Sequence, residues 1–185
     1  MNKVRSFVVF TLDDQKFALH LGAVEKIAQA AEIIPLPKAP DIVMGVINVQ
    51  GRIVPVVNIR RRFRLSERDI NVKDHFIVCR ANQLNVAILV DAVLDIIECS
   101  EKDIIGQANI LTDIEYIEGV VKSAEGMILI HDLDKFLSGK ESDMISHMIQ
   151  DSDELLRTGK NPKHQSKPKQ SEKKKKPIKS RKRAK

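Results

Sequence analysis

Side chains that could do chemistry occur in this chain, but their spacing is not that of a catalytic or metal site. None of the histidines lies at metal-ligand spacing from a cysteine. The chain also lacks a glycine-rich phosphate loop and a serine-centred nucleophile elbow. We therefore expect no catalytic residue, no metal ligand and no cofactor. The histidines are His20, His75, His131, His147 and His164.

Several of these polar groups have simpler structural interpretations. His75 and His131 lie in strand-like runs, where buried histidines with satisfied hydrogen bonds are more common than catalytic ones. Asp132 and Asp134, two residues apart at a predicted helix start, are typical of a cap and its dipole partner. Asp91 ends an apolar run, which favours a turn-forming role over acid–base chemistry.

Cysteine usage and hydropathy predict a cytoplasmic protein. Cys79 and Cys99 lie in apolar strand-like runs, so we expect reduced, buried packing cysteines. No stretch has the roughly 18 uncharged apolar residues of a membrane span. The N-terminus also lacks the apolar region of a signal peptide.

The motif with the clearest pattern covers residues 45–60, where two β-branched runs flank a turn at residues 48–51. Gly51 can adopt a positive φ in that turn. Pro55 lacks an N–H, which places its strand at an edge or at a bulge. The residue types leave two interpretations open, an ordinary hairpin or a sheet-edge surface that another protein recognises.

Short strands dominate the pattern and predict an all-β fold with short helices. Apolar spacing predicts a short amphipathic helix over 21–28 and one more turn over 42–45. Another short helix is expected over 132–137, ended by Gly139. The predicted strands are 5–12, 16–19, 46–49, 53–58, 75–80, 86–90, 93–98, 117–121 and 127–131.

Charge divides the chain in two. Residues 157–185 contain 14 Lys or Arg and a single acid, Glu172, while residues 1–156 contain 17 basic and 24 acidic residues. The first part is rich in Val, Ile and Leu and long enough for one domain with a core. The last part has almost no apolar residues to offset the entropy of ordering, so we predict a disordered basic tail.

Seven blocks in order resemble the CheW-like domain, the adaptor of bacterial chemosensory arrays. The strongest is residues 45–60, which is similar to the family pattern G-V-x-N-L-R-G-x-I-V-P-V-x-D-L-R. The resemblance spans about residues 4–138. The other similar blocks are residues 6–12, 21–27, 36–40, 86–93, 119–121 and 127–133.

The resemblance implies two five-stranded, SH3-like β-barrel subdomains that share a hydrophobic seam. The domain organisation is then a CheW-like domain over 1–140, a short helical or linker segment over 141–156, and the disordered Lys-rich tail over 157–185.

The resemblance also implies a non-enzymatic adaptor that couples chemoreceptors to a CheA-type histidine kinase at receptor arrays. One barrel would pack on the kinase's regulatory domain, and a groove would take the tip of a receptor's helical hairpin. The expected partner-binding residues are Val24, Lys26, Ile27, Gly45, Asn48, Gln50, Gly51, Ala87 and Ile96.

The chain departs from the family pattern at the groove. The family has a glutamate and an arginine that form an ion pair where this chain has Lys26 and Gln50, so that pair cannot form here. Glu25 is adjacent, but on a helix it would face about 100° away. The change is either neutral drift, since exposed pairs are worth about 0–1 kcal/mol, or a changed partner code.

Basic residues leave a rival function open. The tail over 157–185 could bind nucleic acid or an anionic surface in a salt-sensitive manner, although it has no aromatic residues for base stacking. The cluster formed by residues 60–62 and Arg64 could recruit an acidic partner, but a solvated loop is the simpler expectation.

Overall fold

The computed structural model describes the backbone of residues 3–106, 116–124 and 126–158, with side chains described up to residue 150. Apart from the end of the last helix, the predicted disordered tail lies outside these residues. Short 3-10 helices occur at Leu21–Ala23, Glu101–Asp103 and Leu133–Lys135. The remaining elements in the described part are β1 (Val4–Leu12), β2 (Gln15–His20), β3 (Val24–Gln29), β4 (Val43–Val49), β5 (Arg52–Val57), α1 (Ile59–Phe63), β6 (His75–Ala81), β7 (Leu84–Val90), β8 (Ala92–Ser100), β9 (Ile104–Gly106), β10 (Ile117–Ser123), β11 (Gly126–His131) and α2 (Gly139–Thr158).

The strands form two sheets, which confirms the predicted all-β fold with two subdomains. The first sheet has the order β8-β1-β2-β11-β10-β9, and the second has the order β3-β6-β7-β5-β4. The chain leaves the first sheet after β2, completes the second, and returns at β8. The first sheet has six strands rather than five because the three-residue β9 pairs along β10.

Several strands are apolar on both faces because they separate two hydrophobic clusters. On β1, Phe7 and Val9 pack in the core of the first subdomain, whereas Val8 and Phe10 pack in a cluster shared by both sheets. On β6 of the second sheet, Val78 packs in that subdomain's core while its neighbours face the shared cluster. Continuous apolar runs suit strands buried on both sides. The shared cluster is the predicted hydrophobic seam.

The helix predicted over 21–28 is wrong except for a single 3-10 turn. β3 begins at Val24 and pairs antiparallel with β6, where Ile27 lies opposite Ile77. Its residues alternate between half-buried and exposed, which is strand periodicity. The helical turn expected over 42–45 is also absent, because β4 already begins at Val43. Cross-strand pairing overrides the local apolar spacing here.

Pro55 was expected at a sheet edge or at a bulge. Its strand is not at an edge, and the bulge of the β4–β5 pair lies close to it, between Val43 and Gly45 of β4. β5 lies between β4 and β7. Its parallel pairing with β7 begins only at Val56, opposite Ala87. A missing N–H at Pro55 therefore removes no bond from that ladder.

Gly139 begins α2 instead of ending a helix. Ser138 and Glu141 form a capping box, in which the Ser138 amide donates to the Glu141 carboxylate at 2.7 Å and the Glu141 amide donates to the Ser138 hydroxyl at 3.3 Å. Ile145 is fully buried in the seam, so α2 is anchored to the domain. The helix expected over 132–137 is reduced to the 3-10 turn Leu133–Lys135.

The basic cluster predicted as a solvated loop is instead a helix held by ion pairs. Asn58 caps α1 by accepting from the Arg61 amide at 3.3 Å. Arg61 pairs with Glu67 at 2.7 Å, and Arg62 pairs with Glu141 at 2.6 Å.

The cysteine and aspartate predictions are confirmed in part. Cys79 is fully buried, which raises the pKa of its thiol to about 12, whereas Cys99 is only half-buried. Asp132 caps its 3-10 turn by accepting from the Asp134 amide at 3.0 Å. Among the described residues no helix is long and apolar enough to cross a membrane.

His131 is buried without the satisfied hydrogen bonds that the sequence suggested. Only 2% of the residue is exposed, and neither ring nitrogen has a hydrogen-bond partner among the described residues. The ring stacks on Phe63 at 4.4 Å and on Tyr116 at 5.8 Å between centroids. Burial lowers the pKa of His131 to about 4, and the Tyr116 backbone opposes this shift only in part.

Folding stability should therefore fall on mild acidification. In the unfolded chain the pKa of His131 is near 6.5, so the unfolded state binds more protons at pH values between that pKa and the folded one. We expect the free energy of unfolding, measured by urea titration, to decrease by about 2 kcal/mol between pH 7 and pH 5. His131→Phe keeps the ring contacts and should remove most of this dependence. An equally steep dependence in that variant would contradict the assignment.

Gly45 allows close packing in the second subdomain, because the backbone at Ile34 passes directly over it. Its φ is 149°, and a Cβ built there would lie 2.3 Å from the Ile34 carbonyl oxygen. Ile34 forms an isolated antiparallel bridge with Val46, next to the glycine. The absence of a side chain at this position lets the segment before β4 pack against the sheet.

Gly45→Ala should destabilise the fold by about 1–3 kcal/mol, because the new methyl group meets backbone atoms that cannot rotate away. Thermal unfolding measures the loss. Gly22→Ala is the matched control, since nothing lies within 4 Å of a Cβ at Gly22. Equal melting temperatures for the two variants would show that the Ile34 segment moves aside freely.

Candidate partner-binding surface

One candidate surface is formed by β3 and the turn between β4 and β5. β3 is an edge strand of the second sheet and pairs with β6 alone among the described residues. A bulge between Val24 and Lys26 leaves Glu25 as the extra residue. Glu25 and Ile27 lie on the exposed side of the strand, and 40% of Ile27 is accessible.

The hairpin turn has the conformation that the motif predicted. Gln50 and Gly51 both have positive φ, 53° and 86°, as in a type I′ turn. The Asn48 side chain accepts a hydrogen bond from the Gly51 amide at 2.7 Å. Asn48 and Gly51 therefore shape the turn, and Gln50 is displayed at its tip.

An ion pair joins β3 to this hairpin, and sequence analysis missed it. The Glu25 carboxylate accepts hydrogen bonds from the Arg52 guanidinium, and both side chains are about half exposed. The hydrogen bond and the charge of Glu25 raise the pKa of Arg52. The prediction that Glu25 faces away from the groove depended on a helix, which is a bulged strand instead.

Lys26 and Gln50 cannot form an ion pair with each other because glutamine is uncharged, and Lys26 forms none with any other residue in the described ranges. The ion pair that links β3 to the β4–β5 hairpin is thus formed by Glu25 and Arg52 instead of by positions 26 and 50. Lys26 lies on the half-buried side of β3, with no carboxylate partner within the described residues.

The other expected contact residues are buried, covered or on the other sheet. Ala87 is fully buried in the core of the second subdomain, so its side chain cannot touch a partner. Gly45 is covered by the Ile34 segment. Ile96 lies on β8 of the first sheet, opposite Val8, and 53% of it is exposed. Val24 packs at the margin of the seam.

The arrangement at β3 and the β4–β5 turn brings charged and apolar side chains together at the edge of the second sheet. Within the described residues, no three His, Cys, Asp or Glu side chains are grouped so that they could hold a metal ion. The groups at the surface are the Glu25–Arg52 ion pair, the half-buried Lys26, which has no carboxylate partner among the described residues, and the exposed Ile27. Such groups determine which protein binds and in which orientation.

Sequence comparison identifies related proteins. Residues 6–141 match the CheW-like domain. The chemotaxis protein CheW of Rhizobium meliloti (strain 1021) is 32% identical over 142 residues, covering 76% of this chain and 92% of that protein. The chemotaxis protein CheW of Treponema pallidum (strain Nichols) is 26% identical over 147 residues, covering 76% and 86%.

A solved structure shows the same fold. The crystal structure of the scaffolding protein TtCheW from Thermoanaerobacter tengcongensis superposes with a TM-score of 0.68 at 26% sequence identity, covering 76% of this chain and 96% of that one. The match covers nearly the whole of the solved protein. The chain therefore belongs to the CheW-like domain family.

Proposed function

We propose that this protein is a non-enzymatic adaptor that couples chemoreceptors to a CheA-type histidine kinase. The observation that carries the proposal is the complete two-subdomain fold over the region that matches the CheW-like domain, residues 6–141. Relatives of similar length are chemotaxis proteins, and one is described as a scaffolding protein. The place of action is the cytoplasm, at receptor arrays.

The adaptor would act through two protein contacts. One subdomain packs against the kinase's regulatory domain, and the surface formed by β3 and the β4–β5 turn takes the tip of a receptor's helical hairpin. Ile96 on the first subdomain contributes a further apolar contact. Signalling is then a shift between packed states of an assembly, in which no covalent bond is made or broken.

A reconstitution tests this function directly. Kinase and receptor cytoplasmic fragments from the same organism are mixed with and without the protein, and kinase autophosphorylation is measured. We expect the receptor to control the kinase only when the protein is present. Receptor control that is independent of the protein, or a protein that co-sediments with neither component, would contradict the proposal.

The receptor surface would recognise its partner through an altered set of charges. Lys26 has no carboxylate partner in the described part of the chain, so it is free to pair with an acidic group on a receptor. Glu25 and Arg52 already satisfy each other and hold β3 against the hairpin. Charges in such positions affect specificity and association rate more than total affinity.

Restoring the usual charges should therefore weaken binding to this protein's own receptor. We expect Lys26→Glu combined with Gln50→Arg to reduce affinity about tenfold, which is about 1.4 kcal/mol. The same variant should bind better to a receptor that works with a conventional adaptor. Isothermal titration with receptor fragments measures both affinities.

A matched control applies the same two changes to exposed positions in the first sheet, as Lys122→Glu on β10 with Gln15→Arg on β2. It should leave both affinities unchanged. If the Lys26 and Gln50 double variant also binds its own receptor normally, the departure from the family pattern is neutral drift.

We also propose a weak polyanion contact through the basic tail. The observation in its favour is the segregation of charge, with 14 Lys or Arg against one acid in residues 157–185. Lysine and arginine neutralise phosphates without reading sequence, and the released counterions make such binding steeply salt-dependent.

Deleting residues 159–185 keeps α2 intact and should leave folding and kinase binding unchanged. It should abolish retention of a DNA oligonucleotide in a filter-binding assay at low salt. The full chain should lose most of this retention between about 50 mM and 200 mM salt. Kinase binding that disappears with the tail would identify a specific docking element instead.

A further inference from the structure

Five charged side chains form one network at the junction between the two subdomains. Arg60, whose side chain is only 8% exposed, contacts Asp13 at 2.9 Å and Asp91 at 2.7 Å. Arg68 contacts Asp74 at 2.7 Å and Asp91 at 2.5 Å. Each arginine therefore holds two carboxylates, and Asp91 is shared between them.

The network connects elements of both sheets. Asp91 is the single residue between β7 of the second sheet and β8 of the first, so it lies where the chain crosses between subdomains. Asp13 belongs to the β1–β2 turn of the first subdomain. The remaining members, Arg60, Arg68 and Asp74, belong to the segment from α1 to β6 of the second subdomain.

The contribution of Asp13 differs from that of the other carboxylates. Two guanidinium groups face three carboxylates, and Asp74 with Asp91 already balances Arg60 with Arg68. The side chain of Asp13 is 54% exposed, whereas that of Asp74 is 2% exposed. Breaking a buried ion pair is usually costly because it leaves a buried charge without a partner. Withdrawing Asp13 avoids this cost, because Arg60 keeps its contact with Asp91.

The hydrophobic seam and this network constrain the subdomains in different ways. Apolar burial is non-directional and holds the two sheets together. The contacts of Arg60 are charge-assisted, with both terminal nitrogens bonded to the Asp13 carboxylate at 3.2 and 2.9 Å. Bidentate pairs of this kind fix orientation as well as distance.

We propose that Asp13 is a releasable latch between the two subdomains. With its carboxylate on Arg60 the subdomains are held at one relative angle, and without it they sample more than one. Releasing the latch leaves the seam and the balanced part of the network intact. The adaptor then has two arrangements between which a bound partner can select.

A conservative variant removes the latch and keeps the turn. Asp13 has a φ of 52°, a conformation that asparagine also tolerates. Its backbone amide donates to the Asp91 carboxylate at 2.6 Å, a bond that does not need the side chain. Asp13→Asn therefore removes mainly the negative charge that the Asp13 carboxylate presents to Arg60. Asp14→Asn is the matched control, an exposed aspartate in the same turn.

The relative position of the subdomains can be measured by double electron–electron resonance on the full chain. Nitroxides at exposed positions, Lys102→Cys in the first subdomain and Asn85→Cys in the second, report the distance. A Cys99→Ser background removes the half-buried cysteine, and Cys79 is too buried to react. Circular dichroism checks that each variant is folded.

We expect a single narrow distance distribution for the parent and for Asp14→Asn. Asp13→Asn should give either a second peak in the distance distribution between the nitroxides or a distribution about twice as wide as that of the parent. Salt at about 1 M should broaden the parent in the same way, because the Asp13 side chain is exposed to screening. Superimposable distributions for Asp13→Asn and the parent would overturn the latch, even if the variant melts at a lower temperature. The measurement uses the chain alone, so it does not depend on the proposed adaptor function.

Discussion

The apolar seam between the two sheets is the constraint on which the rest of the molecule depends. Strands such as β1 face a subdomain core on one side and the seam on the other, so they carry apolar residues at nearly every position. Polar groups are rare on both faces because burying them without partners is costly, and His131 on β11 is an exception. The chain therefore places its charges at turns, strand edges and the junction between subdomains. These are the places where the candidate surface and the ion network occur.

The sequence predicted the parts of the fold that depend on local pattern. Alternating and continuous apolar runs placed most strands, and a turn glycine located the β4–β5 hairpin. The helix predicted over 21–28 failed because the pairing of β3 with β6 overrides the local apolar spacing, and Ile27 lies on the exposed side of that strand. The anchoring of α2 could have been found, since Ser138 and Glu141 have the spacing of a capping box. The ion pair of Arg60 with Asp13 could not have been found from the sequence, because the two residues are 47 positions apart.

The candidate surface was predicted less well than the fold, and the reason is geometric. Contact between Glu25 and Arg52 depends on a bulge that inserts one residue into β3. A helical interpretation of the same residues turns Glu25 away from the hairpin. Ala87 was expected at the surface because its neighbours fit a family pattern, yet β7 is a central strand and the side chain is fully buried. Sequence patterns locate strands and turns, whereas the exposure of a single side chain depends on which strands lie on either side of it in the sheet.

The charges on the candidate surface are weakly coupled to folding, so proteins of one fold can differ in them. An exposed pair such as Glu25 with Arg52 contributes about 0–1 kcal/mol to stability, so its position can shift at little cost. By contrast, the glycine beneath the Ile34 segment and the side chains of the seam are fixed by packing. Only exposed charges can change without disturbing that packing. A chain that is 26–32% identical to its relatives can thus keep their fold while presenting different charges to its partners.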